Sequence, residues 1–207
     1  MSNLLVNSPV IPVVAIEDSD NAVGLCEALQ EGGIQAIEVT LRTSTAIQSI
    51  RAIKKHYPNM ILGVGTVLTP DDVSRSEDEG VDFLVSPGLS PKLKKALQAT
   101  DLLVLPGTAT PSEALTAYEA GFDKVKLFPA GAVGGAALIK SVYAPMPNIS
   151  YMPTGGVRLA NMNDYLSLPN VYAVGGTWIA STALINAKDW ATIRGNAQDA
   201  MDMSKSA

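Results

Sequence analysis

The strongest constraint on the fold of this chain is an alternation. Short apolar, β-branched runs, each closed by a turn cluster, take turns with amphipathic stretches. Eight such runs occur, at residues 10–16, 36–41, 61–67, 83–86, 102–105, 124–128, 150–152 and 171–174. Between them, residues 21–30, 45–56, 71–79, 91–98, 111–119, 135–142 and 161–166 carry the apolar spacing of one-faced helices, and a last helix is predicted over 189–203. Strict alternation of strand and helix implies a parallel sheet, because only a crossover returns the chain to the same end of it. Eight units in 207 residues favour a single-domain α/β protein closed into a TIM (β/α)8 barrel over residues 1–207, with an open doubly wound sheet as the alternative. Apolar residues make up 47% and charged residues 17%, the balance expected where strands are buried on both faces.

Local signals fit this reading. Thr69-Pro70-Asp71 and Thr110-Pro111-Ser112-Glu113 place a capping hydroxyl before a first-turn proline. Gly32-Gly33, Gly80 and Gly121 fall where helices should stop. Prolines 87, 106, 129 and 153 follow strand runs and should close them by removing a ladder donor. Unusual residues at these strand ends therefore belong to the C-terminal face, where barrels of this kind carry their sites.

Composition also excludes function classes. The net charge is −5 and no basic run interleaves with aromatics, so no nucleic-acid partner is expected. One cysteine and one histidine permit no disulfide within the chain and no His/Cys metal site. No metal and no cofactor is expected, although carboxylate-bound Mg²⁺ stays formally open. A lone free thiol fits a reducing cytoplasm. The apolar run at 9–16 lacks a preceding Lys or Arg, holds two prolines and is too short to span a bilayer, so it reads as a strand and no membrane association is expected.

Parity selects the reactive residues. In Lys124-Val125-Lys126-Leu127-Phe128, Val125 and Leu127 suit an outer layer, which turns Lys126 inward with Phe128 and leaves Lys124 solvated at the strand entrance. Burial disfavours a charged amine, and the neutral amine is the nucleophile of Schiff-base chemistry. The bland alternative is a lysine that snorkels or pairs with a buried acid. In Ile37-Glu38-Val39-Thr40-Leu41-Arg42, the same parity turns Glu38, Thr40 and Arg42 inward or onto the rim. Glu38 is a candidate general acid/base, or one half of a structural ion pair with the lysine. Arg42 is a forked cation suited to a substrate carboxylate, or to a surface ion pair. Gly63-Val64-Gly65-Thr66 admits close backbone approach and offers the Thr66 hydroxyl. Thr154-Gly155-Gly156 and Gly175-Gly176-Thr177 follow the last two strands, where parallel barrels often bind phosphate on backbone N–H groups.

These residues alone leave several functions open. One is a phosphate-binding isomerase or synthase with an electrostatic lysine. Others are a divalent-metal aldolase and a non-catalytic sugar-phosphate sensor.

Taken in order, Glu38-Val39-Thr40-Leu41-Arg42-Thr43, Gly65-Thr66-Val67-Leu68, Ser86-Pro87-Gly88, Pro106-Gly107, Lys126-Leu127-Phe128-Pro129-Ala130, Pro153-Thr154-Gly155-Gly156 and Gly175-Gly176-Thr177-Trp178 resemble the KDPG/KHG aldolases. These are the aldolases of 2-dehydro-3-deoxy-6-phosphogluconate and 4-hydroxy-2-oxoglutarate. The resemblance implies a metal-independent class I lyase of the Entner–Doudoroff pathway, usually a homotrimer, acting on a phosphorylated 2-keto sugar acid. It implies Lys126 as the Schiff-base lysine and Glu38 as acid/base. It implies Arg42, Thr66, Pro87, Phe128 and Thr154 around the pyruvate moiety, and Gly155, Gly156, Gly176 and Thr177 at the phosphate. Three departures stand out: a shorter segment before the first strand, Thr177 where serine is common, and Gly131 where many members carry an acid.

Overall fold

The computed structural model describes residues 4, 5 and 7–207. The chain runs β1 (Val10–Val14), α1 (Asn21–Glu31), β2 (Ala36–Thr40), α2 (Ala46–His56), β3 (Ile61–Gly65), α3 (Pro70–Asp78), β4 (Phe83–Val85), α4 (Pro91–Leu97), β5 (Leu103–Leu105) and β6 (Gly107–Thr108). It continues α5 (Pro111–Glu119), β7 (Lys124–Leu127), α6 (Gly135–Tyr143), β8 (Ser150–Pro153), α7 (Met162–Leu166), β9 (Val174–Gly176), α8 (Thr182–Asn186) and α9 (Trp190–Ser204).

The helix starts obey local chemistry. Thr69 and Thr110 each accept from the backbone N–H three residues on, and Asp72 and Glu113 reach back to the cap N–H groups. These are reciprocal capping boxes, with the prolines already at helical φ. Gly80 and Gly121 sit just past helix ends at φ 66° and 97°, a region open to glycine. The short helix α8 had no signal in the reading above, and the last strand lies further on than expected, at Val174–Gly176.

The strands do not close into one eight-stranded barrel, which corrects the sequence expectation. They form a six-stranded parallel sheet, in the order β5-β4-β3-β2-β1-β9, and a three-stranded parallel sheet, β6-β7-β8. The expected fifth strand is cut at Pro106, whose nitrogen carries no hydrogen. Before it, Leu103–Leu105 pairs with β4; after it, Gly107–Thr108 pairs with β7. On the other side, β8 and β9 meet only through the isolated bridges Tyr151↔Val171 and Thr154↔Gly175. Pro153, between those bridges on β8, again offers no ladder donor.

Two apolar clusters follow from strand parity. Ile37, Val39, Val125 and Leu127 face the helices in the larger, outer cluster. Ile11, Ala36, Phe83, Val85, Leu105 and Met152 fill the inner cluster between the sheets, and Leu5 joins its floor. The Phe83 ring occupies the space that a side chain at Gly63 would need. Cys26 is enclosed in the outer cluster, and burial pushes its thiol up to about 12. Lys124, expected to be solvated, is partly buried, its ammonium 5.8 Å from the Tyr172 ring centroid.

Phe83 is fully buried and central to the inner cluster. Phe83→Ala is expected to cost about 3–5 kcal/mol, read as a lowered urea midpoint with an unchanged m-value.

Candidate active site

The site grows from two strands that belong to different sheets. Glu38 stands on β2, aligned with Val13 of β1 and Gly63 of β3. Lys126 stands on β7, aligned with Gly107 of β6 and Met152 of β8. Outward Val125 and Leu127 force Lys126 inward, as outward Ile37 and Val39 force Glu38. Lys126 Nζ donates to Glu38 Oε1 at 3.3 Å. The lysine is 5% exposed and the glutamate 0%, so the pair interacts in a dry setting. Lys126 Nζ also lies 5.2 Å from the centroid of the Phe128 ring.

Gly65 makes room for this carboxylate. A Cβ at Gly65 would run into Glu38 Oε1. Gly175 does the same for Thr154, whose hydroxyl takes the space of the missing side chain. The next residue after β3, Thr66, has φ 62°, in the left-handed region. For a β-branched residue this strain is worth about 1–3 kcal/mol and must be held by the surrounding fold.

Pair and strand ends surround a cavity of about 110 Å³. Glu38, Arg42, Thr66, Pro87 and Thr177 line it from the six-stranded sheet and its strand ends, and Lys126, Phe128, Thr154 and Gly155 from the three-stranded one. The residues singled out from the sequence thus converge, with two exceptions. Gly156 lies outside the wall, exposed in the loop after β8, and Gly176 is buried where a side chain would strike the Trp178 ring. Two wall residues went unassigned. Thr40 was expected inward, but its job emerges only here: its hydroxyl donates to the Val14 carbonyl at 2.8 Å and accepts from Arg42 Nε at 3.1 Å. Val13 gave no signal, since an inward valine on β1 resembles any core residue.

Polarity distinguishes this hollow better than size does. A larger one, of about 370 Å³, opens at the opposite strand ends beside Asp101 and Asp123. The smaller one contains two enclosed oxygens, Glu38 Oε2 and Thr154 Oγ1, that find no partner among the described residues. Buried polar atoms without partners are costly, so both suit a bound polar molecule. Arg42 makes no ion pair among the described residues and keeps its terminal nitrogens free. In the loop after β8, Gly155 and Gly156 have φ 91° and 82°. The N–H groups of Gly156, Val157 and Thr177 donate to no described group. Consecutive free N–H groups in such a turn form an anion-binding concavity.

Below the pair, the Tyr172 hydroxyl is enclosed without a hydrogen-bond partner among the described residues. Burial first, then the charges of Glu38 and Asp123, push this phenol well above its ordinary value. No group of three or more His, Cys, Asp or Glu side chains that could hold a metal occurs among the described residues. No described helix is long and apolar enough to cross a membrane.

Gly65→Ala is expected to cost about 1–3 kcal/mol by overpacking against Glu38. The cost should shrink in a Glu38→Ala background, because the truncated side chain vacates the space the new methyl needs. Urea denaturation of the two single variants and the double variant measures this, and additive costs would contradict it.

The comparisons agree with this geometry. A family model described as KDPG and KHG aldolase matches residues 1–195. The 2-dehydro-3-deoxy-phosphogluconate aldolase of Pseudomonas aeruginosa is 38% identical over 193 residues, covering 93% of this chain and 88% of that one. The KHG/KDPG aldolase of Escherichia coli K12 is 36% identical over 203 residues, covering 98% and 95%. Among solved structures, the KDPG aldolase of Legionella pneumophila, with pyruvate captured at low pH as a covalent carbinolamine intermediate, superposes with a TM-score of 0.91 at 37% identity, covering 94% and 95%. The chain belongs to the KDPG and KHG aldolase family, whose members are carbon–carbon lyases.

Proposed function

We propose that this chain is a lysine-dependent aldolase that cleaves 2-dehydro-3-deoxy-6-phosphogluconate to pyruvate and D-glyceraldehyde 3-phosphate. It takes 4-hydroxy-2-oxoglutarate, giving pyruvate and glyoxylate, as a second substrate. The observation that carries the reading is the enclosed Lys126–Glu38 pair, 3.3 Å apart, facing a cavity that Arg42 and the loop after β8 flank.

The residues divide the work by position. The neutral Lys126 amine attacks the C2 ketone and forms a carbinolamine. Glu38, hydrogen-bonded to that nitrogen, carries protons for the loss of water, and an iminium results. The iminium draws electrons from the C3–C4 bond as the C4 hydroxyl loses its proton, leaving an enamine on Lys126 and a free aldehyde. Protonation of the enamine at C3 and hydrolysis of the iminium then release pyruvate and restore the amine. Arg42, steadied by Thr40, holds the substrate carboxylate, with Thr66 and Thr154 as further hydrogen-bonding groups. Pro87 and Phe128 pack against the three-carbon keto acid. Gly155, Gly156 and Thr177 receive the phosphate, with Gly176 holding the strand end behind them. No residue in this scheme calls for a metal or a cofactor. Residues 1–207 act as one domain, in a homotrimer, in the cytoplasm; the family resemblance supports the assembly, and the single enclosed thiol of Cys26 fits the compartment.

Borohydride reduction in the presence of pyruvate should add the reduced adduct mass to the Lys126 peptide, and pyruvate release from the phosphorylated substrate should persist in EDTA. Turnover with an unmodified Lys126 would refute the covalent step. Arg42→Ala should raise KM about ten- to hundred-fold for both substrates, the range of a lost hydrogen bond to a charged group, because both carry the same carboxylate. Steady-state kinetics on the two substrates checks this.

A further inference from the structure

The loop after β8 is held by a side chain outside the cavity. Asn161 Nδ2 donates to the Gly156 carbonyl at 3.1 Å, and its Oδ1 accepts from the Arg158 N–H at 2.8 Å. These two bonds bracket the Gly156–Val157–Arg158 segment. In a planar trans peptide the carbonyl and the N–H point opposite ways. With the Gly156 carbonyl tied to Asn161, the Val157 N–H is turned away from Asn161. The preceding peptides are fixed in the same way from the other side. The Thr154 carbonyl accepts from the Ala130 N–H at 2.8 Å, and the Gly155 carbonyl from the Gly131 N–H at 2.8 Å. The N–H groups of Gly155 and Gly156 are thereby turned away from the β7 loop.

The β7 tethers are backbone bonds, so they depend on no particular side chain. Those of Asn161 depend on its amide alone. Gly155 and Gly156 have no side chains of their own to restrict them, and glycine has the widest backbone freedom of any residue. Once untied at Gly156, that peptide is free to turn over and point its carbonyl where its N–H pointed.

We infer that Asn161 is a positioning residue that sets the preference for phosphorylated over unphosphorylated substrates. It fixes the Gly156–Val157 peptide so that its N–H donates to the phosphate. The inference rests on the reading above, in which this loop receives the phosphate. Asn161 itself is absent from the cavity wall.

The test compares the unmodified chain with Asn161→Ala on 2-dehydro-3-deoxy-6-phosphogluconate and on 4-hydroxy-2-oxoglutarate, with inorganic phosphate as a competitive inhibitor. For the variant, KM of the phosphorylated substrate and the inhibition constant of phosphate should each rise about ten-fold, the size of a lost well-placed hydrogen bond. The kcat on that substrate, and both constants on the unphosphorylated one, should move less than about two-fold. Borohydride trapping of pyruvate on Lys126 should match the unmodified chain, which reports an intact fold independently of the phosphate end. Asn161→Asp keeps the acceptor for Arg158 and loses the donor to Gly156, so it should show the same split. A parallel loss on both substrates in both variants, or an unchanged phosphate inhibition constant, overturns the inference. If the unmodified chain prefers the phosphorylated substrate and both variants keep that preference, the role of Asn161 alone falls. If the unmodified chain shows no such preference and no phosphate inhibition, the reading of the loop falls and takes the inference with it.

Discussion

Glu38 and Lys126 are 88 positions apart in the chain, yet their polar ends meet at 3.3 Å, both largely enclosed by the fold. Taking either charge out of water alone would be prohibitive, and removal of one partner would strand the other. The two sheets must therefore bring β2 and β7 together in a definite register. Such a pair is a poor source of stability, since its attraction is largely spent against desolvation. The stability comes from the outer cluster, where Ile37, Val39, Val125 and Leu127 bury the opposite faces of the same strands. Apolar packing on one face thus holds a reactive polar pair on the other.

Making room for that pair shapes its neighbours. Gly65 leaves space for the Glu38 carboxylate and Gly175 for the Thr154 hydroxyl. Below, Phe83 and Met152 close the interior beneath the pair, so the cavity that Lys126 and Glu38 line opens at the C-terminal ends of the strands. Strain gathers at the same end. Thr66 sits in the left-handed region, and Glu38 Oε2 and Thr154 Oγ1 lack partners among the described residues. A fold keeps such costs where they hold groups ready for a ligand.

Much of this was legible in the sequence, because strand parity is a local property. Once Val125 and Leu127 are assigned outward, Lys126 must turn inward, whatever the rest of the chain does. The capping boxes at Thr69 and Thr110 were readable for the same reason, their bonds spanning only three residues. Longer-range features were not. Pro106 was read as closing a strand, while in the structure it divides one strand between two sheets. That the Trp178 ring fills the space a side chain at Gly176 would need was likewise not readable from the sequence. Val13 carried no mark that separated it from other core valines.

The sequence by itself determined the alternation of strands and helices, the face each strand residue occupies, and the chemistry available at the strand ends. These depend on dihedral preference and on the two-residue repeat of a strand, which act over a few residues. Only the tertiary structure decided where the sheets break, that an amine and a carboxylate 88 positions apart stand within hydrogen-bonding reach, and which polar atoms are left for a substrate to satisfy. Those outcomes depend on register between strands and on the packing of two sheets against each other, and no local pattern encodes either.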